Sequence, residues 1–103
     1  MWAQLIKVQL KAGYEGELPR LEEELRKTEQ PGSGLVRSIM MQDQTDASQA
    51  YMLILFESEE QARARESDPN REEGLLAARA VMAEIFEGPP EIVDLTVVEE
   101  FVP

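Results

Sequence analysis

The sequence contains no cysteine and no histidine. Without cysteine there is no disulfide framework, no thiol nucleophile and no thiolate metal site. Without histidine the usual general base is gone, along with the commonest nitrogen ligand of zinc and haem iron. No resident metal, haem or other cofactor is therefore expected. Basic residues are also scarce: 10 Lys and Arg face 21 Asp and Glu, for a net charge of −11. Proteins that grip duplex nucleic acid need a basic footprint to neutralise phosphates, so nucleic acid is not an expected partner. An anionic membrane surface would repel the chain for the same reason. The acidic surplus itself serves solubility. Long apolar runs are missing too. The longest, Tyr51 to Phe56, falls far short of the ~20 residues of a membrane span. The stretch Met1-Trp2-Ala3-Gln4-Leu5-Ile6-Lys7 has no basic region followed by a long apolar segment, so no signal peptide is expected and the location is read as cytoplasmic.

What remains is 103 residues, the size of one domain spanning residues 1–103. A chain this short buries only ~60–70% of its unfolded surface. Trp2 to Lys11 alternates with a period of two, placing Trp2, Ile6, Val8 and Leu10 on one face with Gln4 as the exception; this predicts a first strand. Gly13 and Gly16 break the pattern. A helix is predicted from about Glu17 to just before Pro31. Pro19 suits its first turn, and Leu18, Leu21 and Leu25 form its apolar stripe. Leu35 to Gln42 reads as a second strand, with Leu35, Arg37, Ile39 and Met41 on one face and Val36, Ser38, Met40 and Gln42 on the other. The polar loop Asp43 to Ser48 leads to a third strand, Ala50 to Glu57. Ser58-Glu59-Glu60-Gln61 matches a capping box and opens a short helix to about Glu66. After the Ser67-Asp68-Pro69-Asn70 turn, a second long helix is predicted over Arg71–Phe86, with Leu75, Ala78, Met82, Ile85 and Phe86 inward. Gly88-Pro89-Pro90 stops it. The last strand is predicted over Glu91–Glu99.

This order is β-α-β-β-α-β, the ferredoxin-like plan: an α+β fold with a four-stranded antiparallel sheet and the helices on one face. A lone two-layer domain covers one sheet face, so its strands should alternate apolar with polar. The third strand does not: Tyr51, Leu53 and Leu55 point one way and Met52, Ile54 and Phe56 the other. Leaving several such side chains wet in one patch invites association. A second copy packed on that face is the economical cover, and twofold dimers are the commonest oligomer. The expected partner is a second copy of the same chain.

That third strand running into Glu57-Ser58-Glu59-Glu60, the Ser67-Asp68-Pro69 turn, and Phe86-Glu87-Gly88-Pro89-Pro90-Glu91 ahead of the last strand carry a family likeness. Over nearly its whole length the chain resembles the dimeric α/β-barrel superfamily, and within it the antibiotic-biosynthesis-monooxygenase-like domains. The resemblance implies two sheets paired into a barrel with the helices outside, and a small-molecule cavity within each subunit between sheet and helices. It also implies either a cofactor-independent monooxygenase acting on an aromatic or quinol-like substrate, or a non-catalytic ligand-binding or accessory dimerisation module. The haem-degrading branch is set aside, because its members hold iron with a histidine.

The residues singled out for a small apolar or aromatic ligand are Trp2, Arg37 and Tyr51. Each has a plainer reading: Trp2 as a packing residue, Arg37 and Asp94 as a cross-subunit or cross-strand ion pair, and Tyr51 as a hydroxyl that finds a protein partner. Met40, Met41 and Met52 read as adaptable core filler. Glu22, Glu23 and Glu24 project in different directions around a helix and do not converge on a cation. No catalytic residue is assigned from the sequence.

Overall fold

A computed structural model describes all 103 residues. Its elements are β1 (Trp2–Gln9), α1 (Leu18–Arg26), β2 (Leu35–Gln42), β3 (Gln49–Phe56), α2 (Glu59–Glu66), a single 3-10 turn (Pro69–Arg71), α3 (Glu72–Ile85) and β4 (Glu91–Thr96). The sheet order is β2-β3-β1-β4 and every neighbouring pair is antiparallel. This is the expected ferredoxin-like plan.

Element ends differ from the sequence reading where long-range partners decide them. The last strand stops at Thr96 rather than Glu99, because β1 starts at Trp2 and Trp2 pairs with Thr96. One further bond, from Val97 N–H to the Met1 carbonyl, closes the ladder. Phe86 leaves the helix for an extended conformation and bridges Leu10. The capping box forms as read: Ser58 Oγ accepts from the Gln61 N–H at 3.2 Å.

Register assigns the faces. Trp2, Ile6 and Val8 stand opposite Phe56, Met52 and Ala50 on the face under the helices. Of these, Ile6, Val8, Met52 and Ala50 meet Leu10, Leu18, Leu21, Ala78, Ile85 and Phe86 in the main core. Burying each large side chain contributes about 1.5–3 kcal/mol. Trp2, Phe56 and Ala62 form a smaller cluster under α2.

β2 departs from simple alternation. A register shift between Leu35 and Arg37 marks a bulge at Val36. Leu35 therefore turns in to the Trp2–Phe56 cluster, whereas Arg37, Ile39 and Met41 face away from the helices. A period of two puts all four on one face; the extra residue of a bulge cannot be seen in that period.

The face away from the helices is made of three rows running across the sheet. The first is Arg37, Leu55, Ala3 and Leu95; the second Ile39, Leu53, Leu5 and Val93; the third Met41, Tyr51, Lys7 and Glu91. The middle row is wholly apolar. Ile39, Met41 and Leu95 are 37%, 40% and 39% exposed, and no helix covers any of the rows.

Candidate functional site

The space between the sheet and the two long helices, where a cavity was expected, is filled. Leu21, Ala78 and Ile85 have no exposed surface and pack with Val8, Leu10 and Met52. Ala78 leaves no dent, because the helices settle onto the sheet around it.

The apolar hollow lies instead at the β2 edge. α1 starts at Leu18 with Pro19 in its first turn and packs against α3 rather than down onto β2. Three features hold it there. Gly74 lets α3 approach until a side chain at that position would stand 3.0 Å from Thr28. Arg20 of α1 pairs with Glu84 of α3. Buried Arg71 donates to Thr28 Oγ1 at 3.3 Å and to the Arg65 carbonyl at 3.0 Å. The result is an open groove of about 330 Å³ lined by Leu18, Pro19, Glu22, Met40, Met41 and Gln42. Gln42 is fixed there by bonds of 2.7 Å to the Glu15 and Ala47 carbonyls. A larger hollow of about 390 Å³ sits over the Glu29–Leu35 loop, but loop and polar groups line it, and it lacks the apolar walls typical of small-molecule pockets.

The three residues singled out by sequence are not brought together. Tyr51 and Arg37 share the face away from the helices, while Trp2 is on the opposite face. Tyr51 lies beside Met41 and therefore next to the groove; Arg37 pairs with Leu55, about 13 Å along the strand at ~3.3 Å per residue. Trp2 is 7% exposed and packs against Phe56, with ring centroids 6.0 Å apart and the planes tilted by 45°.

Asp94 takes its ion pair from Arg63, not from Arg37. Arg63 lies 4.9 Å over the Trp2 ring and donates to Asp94 at 2.9 Å and to Glu66 at 3.0 Å. Gln4 donates to Asp94 at 3.1 Å. The Arg63 bond, then the Gln4 bond, holds the Asp94 carboxyl below the usual carboxylate range. Arg37 and Asp94 lie on edge strands and opposite faces, so they do not meet within one chain. The Arg63 network escaped the sequence reading because its members are 31 and 90 residues apart; only the Ser58 cap, which fixes the start of α2, hinted at the position of Arg63. No three acidic side chains converge as a metal site would require, and no helix is long and apolar enough to cross a membrane.

Compared with solved structures, the chain aligns over almost its full length. The chain has the fold of the antibiotic biosynthesis monooxygenase domains. A candidate antibiotic biosynthesis monooxygenase from Nitrosomonas europaea superposes with a TM-score of 0.76 at 13% identity, over 96% of this chain and 100% of that one. An asparagine-to-alanine variant of SnoaB, a cofactor-independent oxygenase from Streptomyces nogalater, gives a TM-score of 0.73 at 14% identity, over 96% and 94% of the two chains. Rv0793 from Mycobacterium tuberculosis gives 0.72 at 14% identity, over 96% of each chain. No family model matches the sequence, and no curated protein matches it. With identities this low the likeness is one of backbone, and the groove residues must speak for themselves.

Proposed function

We propose that the protein works as a homodimer of the dimeric α/β-barrel type that takes up a small apolar or aromatic ligand. Cofactor-independent monooxygenation of a quinol-like substrate is the reaction that the fold favours. The observation that carries the dimer is the uncovered apolar face, with Ile39, Leu53, Leu5 and Val93 in an unbroken row. The ligand reading rests on the groove of Leu18, Pro19, Met40 and Met41, whose apolar walls suit a flat aromatic. Tyr51, paired with Met41 across the two strands, is the hydroxyl assigned to meet the ligand at that edge. Arg37, at the other end of β2, marks a barrel mouth, and Trp2 acts from beneath as packing for α2. SnoaB, described as a cofactor-independent oxygenase, supports the catalytic part through shared fold.

The second reading is a non-catalytic binding or accessory module. Glu22 is the one ionisable side chain lining the groove, which favours binding without acid–base chemistry. One preparation separates the two. With 1,4-naphthohydroquinone as probe, the melting temperature should rise, and oxygen uptake should exceed the protein-free rate with no metal or flavin added. A melting shift without oxygen uptake selects the binding module. Neither response, in the native chain and in Tyr51→Phe alike, would refute the ligand reading.

A further inference from the structure

Residues 97–103 follow β4 without forming an element, yet they carry the chain's most exposed apolar side chains: Val98 at 95%, Phe101 at 85% and Val102 at 75%. We infer that this tail covers the α1–β2 groove of a second copy, so that Val98 and Phe101 of one subunit wall the groove of the other. The inference rests on the homodimer reading and adds that the groove is incomplete in a single chain.

The twist of the sheet supplies the geometry. The β1–α1–β2 crossover joins parallel strands, and such crossovers are right-handed. Viewed from the uncovered face with β1 running upward, β2 is then the left edge and β4 the right. Met41 is at the upper left corner and Leu95 at the lower right; Arg37 and Glu91 occupy the other two. The right-handed twist of strands lifts one diagonal pair of corners out of the plane and drops the other. For this hand and this order, Met41 and Leu95 rise toward the partner, and Arg37 and Glu91 recede. Two such saddles packed face to face with their strands nearly orthogonal touch at the raised corners and splay apart at the receding ones. A twofold axis along the receding diagonal then sets Met41 of each copy against Leu95 of the other. Both raised corners are apolar, and the two charged corners fall at the open ends of the barrel.

The tail leaves β4 one residue after Leu95. It therefore arrives at the partner's β2 edge beside Met41, where the groove opens toward Leu18 and Pro19. Phe101 lies six residues beyond Leu95 in the sequence, a reach of ~20 Å for extended chain, enough to cross the β2 edge to α1. Glu99 and Glu100 stay on the solvent side, where their charges remain hydrated.

The chain lacks cysteine, so introduced thiols report without background. Met41→Cys and Phe101→Cys variants, co-expressed and oxidised, should yield a covalent heterodimer well above the amount either forms alone. Phe101→Asp, a change at an exposed position that leaves the fold of the single chain intact, should raise the dimer Kd about tenfold, as loss of an aromatic anchor does. A dimer by sedimentation with no Met41–Phe101 cross-link, or a cross-link formed within one chain in the double variant, would overturn the tail assignment and leave the homodimer standing. A chain that sediments only as the 11.7 kDa species would overturn both.

Discussion

Gly34 shows how one residue can hold a junction. Its φ is +82°, and a side chain there would meet the Gln61 Cβ at 2.7 Å. Its carbonyl accepts from the Glu57 N–H at 2.9 Å, tying the start of β2 to the end of β3. The left-handed conformation favours glycine, and Gln61 belongs to the capped first turn of α2, so it has little room to retreat. Gly34→Ala should destabilise the chain by about 1–3 kcal/mol. The midpoint of urea unfolding measures this; an unchanged midpoint would show that Gln61 swings aside freely. Gly32, also at positive φ but with nothing near its Cβ, should cost less on the same change.

At the scale of elements, the connection from α1 to β2 is secured by a carboxylate. Glu29 accepts two bonds from Arg65 of α2, at 2.9 and 3.2 Å, and one from Ser33 Oγ. Burial pushes its pKa up, but the Ser33 and Arg65 bonds together outweigh burial and bring it below the usual carboxylate range. A carboxylate whose folded pKa is depressed contributes stability above its unfolded pKa, and that contribution disappears as pH falls through the folded value. Glu29→Gln should therefore weaken the fold by about 1 kcal/mol at neutral pH. The gap between variant and native chain should narrow below about pH 4, as ordinary glutamates protonate near ~4.3. Thermal melts at several pH values test this; a gap that stays constant to pH 2 would mean the charge contributes nothing.

Much of this scale was legible in the sequence. The element order, the Ser58 cap and the doubly apolar β3 follow from local pattern, because periodicity and caps are local properties. The bulge at Val36, the end of β4 at Thr96 and the Arg63–Asp94 pair are set by partners distant in sequence. The groove was equally hidden. It exists because α1 leans on α3 through Gly74 and Thr28, and helix tilt leaves no trace in a stripe of leucines.

For the molecule as a whole, the two faces of β3 allow the proposed dimer to be tested apart from folding. Leu53 stands in the middle row of the uncovered face, whereas Ile54 packs toward Trp2 and Phe56. Leu53→Asp should leave the single chain folded and raise the dimer Kd roughly 30-fold or more. Ile54→Asp should instead destabilise the single chain, because it puts a charge where Ile54 packs half-buried against the Trp2–Phe56 cluster. Glu23→Lys, on the exposed side of α1, should do neither. Sedimentation and circular dichroism on the three variants distinguish the outcomes, and a folded, fully dimeric Leu53→Asp would refute the interface. The bulge in β2 bears on a different hazard. An edge strand offers unpaired N–H and C=O groups to any extended chain it meets, and a long flat edge is a template for fibres. At Val36 the spacing of those groups is broken, and Arg37 adds a charge just beyond. The regular stretch on that edge is shortened to Arg37 to Gln42. The bulge thus narrows the template that the β2 edge offers to chains other than its own.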